Sequence, residues 1–217
     1  MEHGGIELVL DSMRDDAGSV LDPAAKALLK VDPNTLSFVA LLIAILSGIV
    51  LYFSYWSWEI LLPLASVLVI VSGFFDAVDG RVARLAGKTS RRGDFLDHVL
   101  DRYADVVMVG AVAVSSWCNP YIGILALLGV LLTSYMGTQA QAVGAGRLYS
   151  GLLGRADRVV LMFVVPLVQW AFMFFGSGWI DFGPFSLSVF ELMMLWFGIV
   201  GNVTAVQRAV EVWKKIK

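Results

Sequence analysis

Six runs of about 20 predominantly apolar residues recur along this chain, and each is long enough to cross the hydrocarbon core of a bilayer. They fall at about 34–54, 59–86, 94–116, 120–143, 157–176 and 186–207. A water-soluble fold has nowhere to bury that much apolar helix. Composition agrees: 58% of the residues are hydrophobic, 16% are charged, and mean hydropathy is +0.77. Soluble domains lie near about 45–50% apolar and about 25% charged. The expected fold is all-α, a polytopic membrane protein with six transmembrane helices. Residues 1–217 read as one domain, with a juxtamembrane segment over 1–33, a six-helix core over 34–207 and a tail over 208–217. Residues 6–30 fit an amphipathic helix on the membrane surface, with Ile6, Leu8, Leu10, Met13 and Leu21 as its apolar side. A partly ordered tail is the alternative. No cleavable signal peptide is expected, so the first span would serve as the insertion signal.

The basic residues set the orientation. All 16 Lys and Arg fall in the N-terminal tail, the 80–102 region, the 147–158 loop or the C-terminus, and the connections "SYWSW", "WCNPY" and "GSGWIDFG" have none. By the positive-inside rule both termini and the 80–102 region face the cytoplasm, with the cell membrane as the expected location. Trp56, Trp58, Trp117 and Trp179 would form an interfacial belt on the opposite side. The single cysteine, Cys118, has no intrachain disulfide partner and reads as packing. No Cys/His spacing suits zinc, and no nucleic-acid partner is expected.

Against this background residues 76–101, "DAVDGRVARLAGKTSRRGDFLDHVLD", are anomalous. Asp76, Asp79, Gly80, Ala83 and Arg84 recur at steps of three or four on the second span. Asp94, Asp97 and Asp101 do the same on the third. The short connector predicts antiparallel helices lying side by side with their acidic stripes facing. Each charge at membrane depth costs a few kcal/mol, and like charges oppose one another's ionisation, so the cluster calls for divalent cations. Hard oxygen ligands favour Mg²⁺ or Mn²⁺ over zinc, and four Asp could hold two ions about 4 Å apart. Such ions normally bind a phosphate-containing substrate. Gly80 lets a ligand approach the backbone beside the site, Arg84 can grip a phosphate oxygen, and Lys88, Ser90, Arg91 and Arg92 add donors. Arg91 and Arg92 read equally well as headgroup anchors. Asp94 either tunes the site or, the simpler reading, caps the third span. His98 reads as a hydrogen-bonded packing residue rather than a base.

The spacing D-x-x-D-G-x-x-A-R-x8-G-x3-D-x3-D is matched by Asp76, Asp79, Gly80, Ala83, Arg84, Gly93, Asp97 and Asp101. It resembles the signature of the CDP-alcohol phosphotransferase family, membrane enzymes that move a phosphoalcohol from a CDP-linked lipid to a hydroxyl acceptor and release CMP. The resemblance implies that Asp76, Asp79 and Asp97 ligate one Mg²⁺ (or Mn²⁺) and Asp76, Asp97 and Asp101 a second. Asp101 would also be the general base. Gly80, Arg84 and Ser90 would contact the CDP moiety. Asp32, Pro33, Asn34 and Thr35 resemble the family segment that borders the nucleotide; on their own terms they read as a helix start, Asp32 capping and Pro33 in the first turn. A homodimer is a further implication.

The acceptor is sought in the other polar stretch, "GTQAQAVGAGRLYSGLLGRADR". Arg155 and Arg158 stand three apart at the start of the fifth span, where one helical face could aim both at an anion. This resembles the branch that makes phosphatidylinositol phosphate or its ether-lipid counterpart, archaetidylinositol phosphate, and implies an inositol phosphate acceptor. Glycerol 3-phosphate and serine are the alternatives within the family, and headgroup anchoring is the simpler reading of the two arginines. A membrane prenyltransferase would be expected to carry a second Asp-rich motif. A cation transporter would place its acids near mid-membrane, not at the basic end.

Overall fold

The computed structural model describes residues 14–146, 148, 151–176 and 178–216, with the backbone alone for 14–20. Seven helices follow in order: α1 (Arg14–Ala27), α2 (Pro33–Phe53), α3 (Trp58–Leu85), α4 (Arg91–Ala113), α5 (Pro120–Ala142), α6 (Arg155–Phe175) and α7 (Val189–Lys215). Sequence chemistry explains their starts. Asp32 caps α2, accepting from Asn34 N at 2.9 Å with Pro33 in the first turn, and Asn119 with Pro120 does the same for α5. Ser188 and Glu191 form a reciprocal capping box at α7. The cap of α4 is Ser90, whose Oγ accepts from Gly93 N at 3.0 Å, and not Asp94, which lies one turn inside the helix.

Among the described residues the fold is helical apart from one short two-stranded hairpin, and the protein is a polytopic membrane protein. Five helices (α2, α3, α5, α6 and α7) are long and apolar enough to cross a bilayer. The outward stripe of α2 is Phe38, Leu42, Leu46, Ile49 and Phe53, an apolar surface suited to lipid and not to water. Although α4 coincides with the third expected span, it does not meet the same criterion. Arg91, Arg92, Asp94, Asp97, Asp101, Arg102 and Asp105 load its first two thirds with charge.

Helix α2 packs along both α3 and α4, α3 packs on α6, and α5 lies along α7. Small residues allow the last contact: a Cβ on Gly201 would stand 2.7 Å from the Gly129 carbonyl carbon. The main core gathers Leu51, Leu62, Val112, Val130, Met194 and Phe197 from five helices. A smaller cluster of Ala25, Leu36, Val78 and Val82, with Leu21 against it, docks α1 onto α3, where Asp22 also pairs with Arg81 Nε at 2.5 Å. That hydrogen bond holds the Asp22 carboxyl below its ordinary range. The remaining residues expected on an amphipathic face, Ile6, Leu8, Leu10 and Met13, lie outside the described residues.

The last span, expected from 186, begins at Val189: Ser186–Ser188 instead pairs antiparallel with Trp179–Asp181, and Gln169 ties this hairpin to α7 by donating to Gly178 O and accepting from Val189 N. Trp117 is not an interfacial anchor. It is fully buried, donates to Ser54 Oγ at 2.8 Å and packs on Phe190. Its neighbour Cys118 is buried in the same core.

Candidate active site

The acids of α3 and α4 converge, though not through direct packing of the two helices. Helix α2 lies against both, so their acidic ends face each other across a gap that side chains fill. Like charges on opposing helices favour that separation. Within it, ligand atoms of Asp76, Asp79 and Asp97 all lie within 4.8 Å of one another, and those of Asp97, His98 and Asp101 form a second such group. Asp79 is buried and accepts from Ser37 Oγ at 2.5 Å. Ser37 sits one turn past the Asp32–Thr35 helix start and was not singled out from sequence. His98 faces Asp94 and Asp97 at 4.0 and 3.9 Å, a position beside the carboxylates rather than in apolar packing.

Arg155 enters this group from α6. Its Nη2 lies 2.7 Å from Asp76 Oδ1 and also contacts Asp101 Oδ1, so one guanidinium bridges the two carboxylates. Asp101 is 5% exposed, and its Oδ1 has no hydrogen-bond partner among the described residues beyond that ion pair. Buried hard oxygens, some lacking hydrogen bonds, suit a divalent cation. The donor set fits a divalent cation that Asp76, Asp79 and Asp97 would hold; in the second group His98 stands with Asp97 and Asp101 where the resemblance implies Asp76.

A narrow cleft with about 30 Å³ of free space opens beside the acids, lined by Ser37, Ser72, Asp76, Asp101, Asp105 and Arg155. On α3, Gly80 leaves open backbone next to Arg84, whose Nη1 lies 3.6 Å from where a Gly80 Cβ would stand. The starts of α2 and α4 adjoin: Asn34 Oδ1 is 3.9 Å from the position of a Gly93 Cβ. Two helix N-termini with exposed Asn34, Thr35 and Ser90 thus meet at one edge of the cluster.

Arg158 does not share a target with Arg155. It is 3% exposed, lies 3.1 Å from Asp105 Oδ2, and donates to Val130 O and Ser134 Oγ at 3.3 and 3.2 Å. One helical face does carry both arginines, but α5 fills the space in front of the second. Asp157, between them in the sequence, accepts from Gly154 N at 2.7 Å and caps α6. Asp105 was missed in the sequence although it extends the steps that link Asp94, Asp97 and Asp101 by one more turn of four. Removal of Arg158 leaves Asp105 buried with half its pairing. Arg158→Met is therefore expected to destabilise the fold by about 3–5 kcal/mol, read as lost thermal stability in detergent; an unchanged melting curve would remove the structural role.

A helical membrane bundle with a cluster of carboxylates beside a cleft entered by one arginine has the donor atoms of a divalent-cation site. Its family is specific: the profile described as CDP-alcohol phosphatidyltransferase matches residues 30–205, and the chain belongs to that family. The chain is 31% identical over 161 residues to an archaetidylinositol phosphate synthase from Pyrococcus horikoshii, covering 73% of this chain and 82% of the relative. It is 28% identical over 216 residues to a phosphatidylinositol phosphate synthase from Cutibacterium acnes, covering 94% and 97%. Its fold resembles the crystal structure of phosphatidylinositol phosphate synthase from Mycobacterium tuberculosis with CDP-DAG bound, at TM-score 0.67, 21% identity and 92% and 98% coverage. It also resembles that enzyme in complex with manganese and citrate, at TM-score 0.68, 22% identity and 91% and 92% coverage.

Proposed function

We propose that this chain transfers a phosphatidyl or archaetidyl group from a CDP-linked lipid to a hydroxyl of inositol phosphate, releasing CMP. The observation that carries the reading is the convergence of Asp76, Asp79, Asp97 and Asp101 on a cleft entered by Arg155. The named relatives, synthases of archaetidylinositol phosphate and phosphatidylinositol phosphate, support the acceptor. Two Mg²⁺ ions, with Mn²⁺ as the alternative, would neutralise the donor diphosphate and stabilise the departing phosphate of CMP. Asp101, buried in the lining of the cleft, takes the proton of the acceptor hydroxyl as its oxygen bonds to the lipid-linked phosphorus. The phosphorus–oxygen bond to CMP breaks in the same displacement. Arg84 holds a donor phosphate oxygen beside Gly80. Asp32, Pro33, Asn34, Thr35 and Ser90 border the nucleotide, where the start of α2 offers free N–H groups.

In this reading α4 makes the sixth crossing, with its charged part turned into the bundle. Both termini and the site lie on the cytoplasmic side of the plasma membrane, as the distribution of Lys and Arg favours. The enzyme acts as a homodimer, and 1–33 forms the juxtamembrane segment of its single domain.

Arg155, with its side chain 38% exposed, is the acceptor-phosphate ligand, while Arg158 supports it from within the bundle. Loss of that charge-assisted contact is worth about 1.5–3 kcal/mol. Arg155→Ala should therefore raise the acceptor KM by roughly 10- to 100-fold and leave donor binding nearly unchanged. An unchanged KM for inositol phosphate would take the acceptor site away from Arg155. The reading as a whole is tested with purified protein, Mg²⁺, ester- or ether-linked CDP-lipid and a panel of alcohols. CMP should appear, and most rapidly with inositol phosphate.

A further inference from the structure

Asp101 and Asp105 stand one turn apart on the buried stripe of α4, and three guanidinium groups surround them. Arg155 takes Asp101 Oδ1. Arg102 Nη2 reaches toward both acids, 3.7 Å from Asp101 Oδ2 and 3.4 Å from Asp105 Oδ2. Arg158 Nη2 lies 3.1 Å from the same Asp105 oxygen. The result is a line of alternating charge, Asp76, Arg155, Asp101, Arg102, Asp105 and Arg158, running from the proposed cation site into the bundle. Three of these six groups are guanidinium cations. Their pairing is incomplete: the Nε atoms of Arg102 and Arg158 are buried without a hydrogen-bond partner among the described residues. Both guanidinium groups thus retain unused donors, and Asp101 is the acid next to Arg102 once Asp105 is removed.

We infer that Asp105 is a positioning residue for Asp101: it holds Arg102 and Arg158 by charge, so that Asp101 Oδ2 stays available to a divalent cation and to the acceptor proton. The inference rests on the metal reading given above. Without Asp105, Arg102 closes on Asp101 and competes with the cation for the same oxygen. A purely structural Asp105, one that only permits burial of Arg158, predicts a loss of stability and no change in cation affinity.

The two are separated by Mn²⁺ binding to the purified full chain in nanodiscs, followed by the electron paramagnetic resonance signal of free Mn²⁺. Asp105→Asn is expected to weaken Mn²⁺ binding at least tenfold, and Asp105→Glu to keep most of it. The double variant Asp105→Asn with Arg102→Gln is expected to recover most of the loss. Arg102→Gln alone, at a partly exposed position, is expected to tighten binding several-fold and gives a readout even if Asp105→Asn does not fold. Unchanged Mn²⁺ affinity in Asp105→Asn or in Arg102→Gln would overturn the inference, as would a double variant as weak as Asp105→Asn. Asp76→Asn serves as the control. If it abolishes binding while Asp105→Asn does not alter it, the metal reading stands and the inference falls; if wild-type protein binds no Mn²⁺, both fall.

Discussion

Asp101→Asn is expected to lower CMP release by about 10²- to 10⁴-fold, the range lost when a positioned general base can no longer take a proton. The amide has nearly the shape of the carboxylate, so packing around this buried position is preserved. Asp76, Asp79 and Asp97, whose ligand atoms already form a group without Asp101, still offer one cation site, while cation binding at the group that includes Asp101 is expected to weaken. CDP-lipid affinity, measured by calorimetry, is therefore expected to stay within a few-fold of wild type. A variant that turns over within tenfold of wild type would remove the proton-accepting role from Asp101. One that no longer binds CDP-lipid would move that residue from proton transfer to donor binding.

Asp76→Asn is expected to act at an earlier stage, losing both cation binding and turnover. Asp76 belongs to the group with Asp79 and Asp97, and its Oδ1 is also the oxygen against Arg155. The substitution takes a hard anionic ligand from the cation and at the same time frees Arg155 to close fully on Asp101. Ligand loss and added positive charge act in the same direction, so Mn²⁺ affinity should fall by more than about 100-fold. Asp97→Asn, the residue shared by both groups, should behave alike. Calorimetry showing unchanged Mn²⁺ affinity in either variant would contradict the ligand assignment, even if activity were lost.

The site was legible in the sequence where its parts share a helix. Asp76, Asp79, Gly80 and Arg84 sit in register on α3, and Asp97 and Asp101 on α4, because steps of three and four put side chains on one face wherever the helix goes. The helix start at Asp32 and Pro33 was legible for a similar local reason. Asp105 was equally accessible, since it continues the same steps by one turn, but an acid within an apolar run drew no notice without a partner in view. What the sequence concealed are partners set by packing. Ser37 reaches Asp79 across 42 positions, Asp22 reaches Arg81 across 59, and Arg158 meets Asp105 from another helix. Periodicity on α6 aims Arg155 and Arg158 the same way and does not reveal that α5 stands in front of one of them. Trp117 illustrates the converse problem. An aromatic residue in a short connection has no periodicity that separates a membrane interface from a core, and only the contacts with Ser54 and Phe190 settle the matter.

The proposed reaction is transfer from a CDP-lipid to an already phosphorylated alcohol. Its most direct test supplies wild-type protein, Mg²⁺ and CDP-lipid with inositol phosphate or with free inositol, and follows the lipid product by phosphorus NMR. CMP release is expected together with a lipid bearing one phosphodiester and one phosphomonoester, with little product from free inositol. A product carrying the phosphodiester alone, formed as fast from free inositol as from its phosphate, would contradict it.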